Sequence, residues 1–410
     1  MKQSILFTKT ARQALKEEVS INAQLLIRAG FVNKLMAGVY TFLPLGLRVI
    51  NKIEEIIRQE INALGGQEIF MPSLQPKENW EITGRWQSMD DLYKVKDQSG
   101  REFALGPTHE EIVAPLLKHF VNSYKDLPCY VYQFQNKFRM ELRSKSGLLR
   151  GREFMMKDLY SFNLTEKGLD EFYEKAKTAY EKIFNRIGLG KKTYYTYASG
   201  GTFAKYSHEF QTESESGEDT IFICKKCRQA INKEIKGEIK TCPNCKNSEF
   251  KEAKAIEVGN IFKLQTKYSQ PFDLSVLDEK GKKQTIVMGC YGIGLSRVMG
   301  AVVETSHDAK GIIWPEAIAP FKVHLISLEK NEEAEKIYAD LDKHGIEILF
   351  DDRAVSAGEK FNDADLIGLP YRLVVSEKSL KAGGVEAKKR NSQKSEIVNI
   401  KELQKFLEQS

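Results

Sequence analysis

The sequence predicts an α+β chain built on an antiparallel sheet, with a small cysteine-rich insert and a C-terminal α/β unit. Three observations carry that expectation. The stretch from Tyr132 to Phe162 reads as two strand-like runs broken at Ser144, Lys145, Ser146 and Gly147, as antiparallel strands joined by a loop would be. Two Cys-x-x-Cys knuckles, Cys224/Cys227 and Cys242/Cys245, are separated by fourteen residues. From Val323 onward, short β-rich runs alternate with helical ones, which implies a compact α/β unit.

A length of 410 residues suggests two or three domains. Hydrophobic content of 41% and charged content of 29% describe an ordinary globular chain. The net charge of +6 is compatible with a polyanionic partner without establishing one. The first residues lack the apolar core of a secretory signal and carry acids too early for a transit peptide. No run of ~18 apolar residues occurs, so no membrane span and a cytoplasmic location are expected.

In order, residues 12–30 read as a helix ending near Gly30, and Gly38 to Gly46 as a turn-rich entry. Val49, Ile53, Ile56, Ile57 and Ile61 recur at helical spacing in a segment from Leu47 to Leu64, stopped by Gly65 and Gly66. A strand, Glu68 to Met71, precedes Pro72. Thr108 and Glu110 stand before an apolar helical run, which by itself is a helix-start signal, with His109 a first-turn residue. In the central hairpin Arg139 and Glu141 are two apart, so a strand would place both on one face. A guanidinium beside a carboxylate suits an anion together with a base or ammonium group, and a solvated salt-bridge ladder is the alternative. Thr165 to Ile187 is an amphipathic helix closed by Gly188. Gly289, Gly292 and Gly294 carry a strand into a helix at Arg297 and allow close backbone approach to a ligand. Neither a Rossmann fingerprint nor a P-loop is present.

The paired knuckles can set the thiolates of Cys224, Cys227, Cys242 and Cys245 tetrahedrally around zinc. Four protein ligands leave no open position, so such a metal is structural rather than catalytic. The run between them, Arg228 to Lys240, is polar and lysine-rich, so metal is expected to be the main folding term of the insert.

The order Phe138-Arg139-x-Glu141, loop, Arg150-Gly151-Arg152-Glu153-Phe154 resembles motif 2 of class II aminoacyl-tRNA synthetases. Its continuation, Met155 to Phe162, resembles the bacterial-type prolyl-tRNA synthetases. Helix, strand and Pro72 are similar to motif 1 of that class, which implies a homodimer, and Met288 to Arg297 is similar to motif 3. The resemblance implies ATP, Mg²⁺, L-proline and tRNA(Pro) as ligands. It assigns ATP to Arg139, Glu141, Arg150, Gly151, Phe154, Glu257, Asn260, Gly294 and Arg297, with Arg139, Glu141 and Arg297 catalytic. It assigns proline to Thr108, Glu110, Arg139, Met156, Asp158, Tyr160, Phe262 and Cys290. Arg143 is implied at the tRNA acceptor end, and Asp352, Arg353 and Lys360 at the anticodon; a surface salt-bridge cluster is the alternative for the last three.

The implied domains are a class II catalytic domain at 1–213 and 257–318, a zinc ribbon at 214–256 and an anticodon-binding domain at 319–410. Two departures stand out. Relatives usually have His where Asn260 stands and Gly where Gln265 stands. The ribbon also occupies the junction where common bacterial members carry a long editing domain. One methylene discriminates by only ~1–3 kcal/mol, so some charging with alanine is expected unless a separate editing protein clears it. A catalytic-zinc threonyl-type site would need a Cys/His/His set that His109, His119 and His208 do not supply.

Overall fold

The computed structural model describes residues 1–13, 18–142, 146–201 and 205–408. They form two compact units, one of Leu35–Tyr40 and Ile53–Ala301, the other of Met1–Lys34, Thr41–Lys52 and Val302–Ser410.

The first unit is organised on a nine-stranded sheet. Its strands lie in the order Tyr206–Glu213, Thr193–Ser199, Ala230–Asn232, Asp219–Cys224, Phe250–Gln265, Val287–Gly294, Glu153–Asn163, Cys129–Phe138 and Gln67–Glu68. Neighbours are antiparallel, except that Ala230–Asn232 runs parallel to Thr193–Ser199 and Gln67–Glu68 parallel to Cys129–Phe138. Register decides which side chains share a face. Gln133 opposes Asp158 and Gln135 opposes Met156; Asp158 opposes Gly292, Tyr160 opposes Cys290, and Cys290 opposes Phe262. Because successive side chains alternate, all of these point to one side of the sheet.

The other side carries Lys157, Leu159, Tyr291 and Ile293 and is covered by the helix Glu166–Ile187. That helix buries Leu169, Phe172, Tyr173, Ala176, Tyr180 and Ile183, the apolar stripe expected of it. Thr165 accepts the Gly168 N–H at 3.1 Å and Gly188 closes the helix at φ 93°, so both ends stand where the sequence placed them. Lys157 is sealed under this helix, its ammonium donating to Tyr180 Oη at 2.6 Å and to the Tyr291 carbonyl at 3.0 Å.

The second unit holds a five-stranded sheet in the order Ile348–Asp351, Val323–Ser327, Tyr371–Val375, Val385–Lys389 and Glu396–Val398. The first three strands are parallel, as strand–helix–strand connections require, and the helices are Asn331–Lys343 and Ala357–Ile367. Among the described residues no helix is long and apolar enough to cross a membrane.

Four local expectations change. The first helix runs only over Ile21–Arg28, because Ser20 is extended at its N-cap. The turn-rich entry is a hairpin, Val32–Met36 with Val39–Phe42, and the next helix begins at Pro44, whose missing N–H costs nothing in a first turn. The strand expected over Glu68 to Met71 is Gln67–Glu68. The insert is also not held by metal alone. Asp219–Cys224 and Ala230–Asn232 hydrogen-bond into the main sheet, and Ile221, Ile223 and Ala230 pack with Tyr194 and Ala255.

Candidate active site

The open face of the nine-stranded sheet forms the floor of a cavity of about 360 Å³. Met156, Asp158, Asn260, Phe262, Cys290, Gly292 and Gly294 line it from the strands. Thr108 and Glu110 reach in from the start of helix Glu110–Phe120, Arg85 from the helix Arg85–Ser88, Arg139 from just past the strand Cys129–Phe138, and Arg297 from the helix Leu295–Thr305. Glycine at 292 keeps the floor open, since a Cβ there would meet only the Met156 sulfur, at 3.7 Å. A smaller adjoining cavity shares Glu257 and Arg297 and adds Arg150, Ser216, Glu218 and Asp219.

Two guanidiniums dominate this space. Arg139 lies over the Phe154 ring with 5.3 Å to its centroid and donates to the Pro107 carbonyl at 3.2 Å. Its buried Nε has no partner among the described residues. Burial, and then the charge of Arg297, pull Arg139 below its ordinary pKa. Two cations forced together around an orphaned donor make a site that favours an anion. Arg297 is held by the Leu149 carbonyl at 2.9 Å and by Glu257 at 3.1 Å. Asn260 bridges Glu257 at 3.1 Å to Glu209 at 3.4 Å.

At the other end, Thr108 donates to Glu110, and Arg85 lies 3.7 Å from the same carboxylate while pairing with Glu111 at 2.9 Å. Burial, and then the charges of Glu110 and Asp158, push the Cys290 thiol well up, so it is a soft wall and not a nucleophile. The loop is fixed by backbone: Gly106 donates to Ser73 at 2.8 Å and accepts from Phe138 at 3.1 Å. A Cβ at Gly106 would lie 2.3 Å from the Gln75 amide, so only glycine fits.

Several assignments change. Arg139 and Glu141 do not share a strand face, because the strand ends at Phe138; Glu141 turns away to pair with Arg150 at 2.6 Å. Arg150 is held by Glu218 as well. Glu141, Gly151, Phe154 and Tyr160 line neither cavity. Phe154 supports Arg139 from below, and Tyr160 accepts the His109 N–H at 3.1 Å from behind the wall. In the second unit Lys360 is 3% exposed, with its ammonium on the carbonyls of Ser327 at 2.7 Å and Asp351 at 3.2 Å, so it does not reach a phosphate. Arg353 is taken by Asp351 at 2.7 Å and Asp363 at 2.8 Å, the salt-bridge alternative. Asp352 accepts from Ser4 at 2.7 Å. Arg143 lies outside the described residues.

Three residues were not expected here: Arg85, Lys137 and His109. Lys137 is wholly buried and its ammonium lies 2.7 Å from Asp158. The signal for it was present: Gln133, Gln135 and Lys137 alternate along one strand, an unusual polar face for a buried run.

The four cysteine sulfurs lie within 4.8 Å of one another, with Cys224–Cys245 and Cys227–Cys242 each at 3.5 Å. Tetrahedral sulfurs ~2.3 Å from a zinc ion stand roughly 3.8 Å apart, so the set fits. Both knuckles turn on a left-handed residue, Arg228 at φ 64° and Lys246 at φ 61°.

Comparison with known proteins agrees with this architecture. Residues 93–306 match the family described as the tRNA synthetase class II core domain (G, H, P, S and T), and residues 317–410 match the anticodon binding domain. The proline--tRNA ligase of Dehalococcoides mccartyi (strain CBDB1) is 35% identical, with 98% of this chain and 97% of that protein covered. That of Halothermothrix orenii is 35% identical over the full length of both. The first of these alignments spans 554 positions against 410 residues, so that relative carries a long segment that this chain lacks. A crystal structure of prolyl-tRNA synthetase from Cryptosporidium parvum with L-proline and AMP superposes with a TM-score of 0.77 at 19% identity, covering 94% of this chain and 74% of that one, and shares the fold. By its core, its anticodon-binding unit and its identity to these relatives over nearly its whole length, the chain belongs to the proline--tRNA ligase family of class II aminoacyl-tRNA synthetases.

Proposed function

We propose that this chain activates L-proline with ATP and transfers the prolyl group to the 3′ end of tRNA(Pro). One observation carries the reading: Arg139 and Arg297, from distant segments, line a single cavity that also reaches Thr108 and Glu110. The proline carboxylate attacks the α-phosphate of ATP, forming prolyl-adenylate and releasing pyrophosphate. The terminal ribose hydroxyl of tRNA then takes the prolyl group and AMP leaves. Arg139, Arg150 and Arg297 neutralise phosphate charge, so catalysis is positioning and electrostatic stabilisation. Glu257 orients Arg297 and, with Asn260 and Gly294, borders the nucleotide. Glu141 acts indirectly, through Arg150. Glu110, whose carboxylate accepts from Thr108, takes the pyrrolidine ammonium, while Met156, Phe262 and Cys290 shape the ring pocket and Asp158 lies beside it.

Mg²⁺, which as a rule is held by substrate phosphates and one or two carboxylates, would find Glu257 at hand and would supply neutralisation of phosphate charge. Among the described residues the acids form no cage of their own, the one clustered ligand set being the four cysteines. Those cysteines hold a structural zinc, which supplies folding free energy to the insert. The domain reading is a catalytic domain at 1–213 and 257–318, a zinc ribbon at 214–256 and an anticodon-binding domain at 319–410. Homodimerisation through the motif 1 region accords with Phe70 being 78% exposed. Arg143 at the tRNA acceptor end, a cytoplasmic location and a separate editing protein complete the reading.

The test is amino-acid-dependent ATP–pyrophosphate exchange followed by tRNA charging. Proline alone should drive efficient exchange, and a catalytically silent tRNA-binding relative would give none.

A further inference from the structure

Behind the amino-acid end of the cavity lies a buried charged chain that the reaction as described does not use. Lys137 sits on strand Cys129–Phe138, on the same face as Asp158. Its ammonium lies 2.7 Å from Asp158 Oδ1 and 2.9 Å from His109 Nδ1, and both Lys137 and His109 are wholly buried. The histidine tautomer follows from its other contact. His109 Nε2 lies 3.1 Å from the Pro72 carbonyl, which can only accept, so Nε2 carries the proton. Nδ1 is then a lone pair, and the Lys137 ammonium donates to it. Burial, and then the Lys137 charge, lower His109 to about 4, so the ring stays neutral.

Asp158 is thereby locked twice, since its Oδ2 accepts from Gln133 at 3.0 Å. Burial opposes its ionisation, but the Lys137 ammonium holds its carboxyl below the ordinary range. A carboxylate has about four lone-pair positions, so acceptor capacity remains for the cavity that Asp158 lines. Lys137 also ties two separate elements together. His109 immediately precedes Glu110, and its N–H is held by Tyr160 on the Asp158 strand at 3.1 Å. The two carboxylates of the pocket, Glu110 and Asp158, are therefore set relative to each other through this chain. The charged groups facing the Lys137 ammonium are Asp158, Glu110 and Arg139.

We propose that Lys137 and His109 are positioning residues that present Asp158 as an ionised second acceptor beside Glu110, so that the two N–H bonds of a secondary ammonium are both met. This rests on the reading of the cavity as the proline site. A cyclic secondary ammonium has two N–H donors, and two fixed carboxylates match that number, whereas a primary ammonium leaves a third donor to be desolvated.

The test is steady-state exchange kinetics of the full chain with Lys137→Met, Asp158→Asn and the double variant. Lys137→Met is expected to raise KM for proline by about tenfold or more, with KM for ATP within about twofold. In the Asp158→Asn background the same change is expected to add less than about twofold, because Lys137 acts through Asp158. An unchanged KM for proline, equal rises for proline and ATP, or effects that multiply in the double variant would overturn the proposal. If Lys137→Met does not fold, His109→Leu removes the acceptor under the ammonium, together with the ring's bond to the Pro72 carbonyl, and keeps Lys137 itself. It should raise KM for proline about threefold with KM for ATP unchanged, and an unchanged proline KM there overturns the proposal too. Absence of proline-dependent exchange in the unaltered chain would instead remove the proline-site reading itself.

Discussion

The Arg297 guanidinium lies 3.1 Å from the Glu257 carboxylate and lines the cavity that Arg139 lines from another segment. Glu257 thus fixes Arg297 before a nucleotide arrives, so little reorganisation remains for the reaction. A lysine has charge but no planar fork and cannot hold the Leu149 carbonyl and Glu257 together. Arg297→Lys should lower kcat/KM for ATP by about 10²–10³, with a much smaller effect on KM for proline. Exchange kinetics at varied ATP and proline check this, and a loss confined to proline would contradict it.

Glu209 connects this site to pH. Burial, and then the charge of Glu257, push its carboxyl up to about 8. Its unfolded value is roughly 4.3. Between those values the native state keeps a proton that the unfolded chain has released, so unfolding free energy falls as pH rises through the window. The slope approaches about 1.4 kcal/mol per pH unit for one group. Glu209→Gln should remove that component, so urea midpoints of variant and parent should converge toward low pH and diverge toward about pH 8. Parallel curves would refute it.

Metal loss should act beyond the knuckles. Strand Asp219–Cys224 pairs with Phe250–Ala255 of the long strand that continues into Glu257, and Glu218 grips Arg150. Chelation under denaturing conditions should release about one zinc per chain. Cys245→Ser should expose the segment around residues 225–249 to proteolysis and raise KM for ATP several-fold. The sheet itself should persist, because Ile221, Ile223 and Ala230 remain packed with Tyr194 and Ala255. Metal analysis, limited proteolysis and exchange kinetics read these three outcomes.

Gln265 takes φ 54° where the register with the neighbouring strand slips between Lys263 and Gln265. A left-handed conformation costs an L side chain about 1–2 kcal/mol, and glycine avoids that while losing some unfolded-state entropy. Gln265→Gly should therefore stabilise the chain by roughly 0.5–1 kcal/mol in denaturant titration, and Gln265→Val should destabilise it.

Alanine should be activated measurably. Met156, Phe262 and Cys290 can reward the extra methylenes of proline, but each methylene separates the substrates by only ~1–3 kcal/mol. Alanine-dependent exchange well above background, with alanyl-tRNA accumulating when no other protein is present, is the expected result. Its absence would mean that the pocket discriminates by exclusion.

The local signals in the sequence were strong wherever one element sufficed. The helix at Glu166–Ile187, its Thr165 and Gly188 ends, the hairpin and the paired knuckles follow from short-range periodicity and turn chemistry, and the alternating C-terminal runs form the expected α/β unit. Where the path of the chain beyond an element decides a side chain's partner, pattern alone left the alternatives open. Arg353 and Lys360 read either as cations for tRNA or as members of a salt-bridge cluster, and Asp351, Asp363 and the Ser327 carbonyl hold them. Glu141 sits two residues from Arg139 but turns to Arg150, because the strand stops at Phe138, before either residue.

The sequence by itself determined the order of motifs, and with it the family and the set of cations and acids available for chemistry. Only the tertiary structure decided which of them meet, through strand register. Lys137 and Lys157 are both lysines on paired strands, yet one faces Asp158 in the cavity wall and the other is sealed beneath Tyr180. The physical reason is the two-residue period of the pleat: a side chain's face depends on the register of its whole strand, and long-range pairing sets that register.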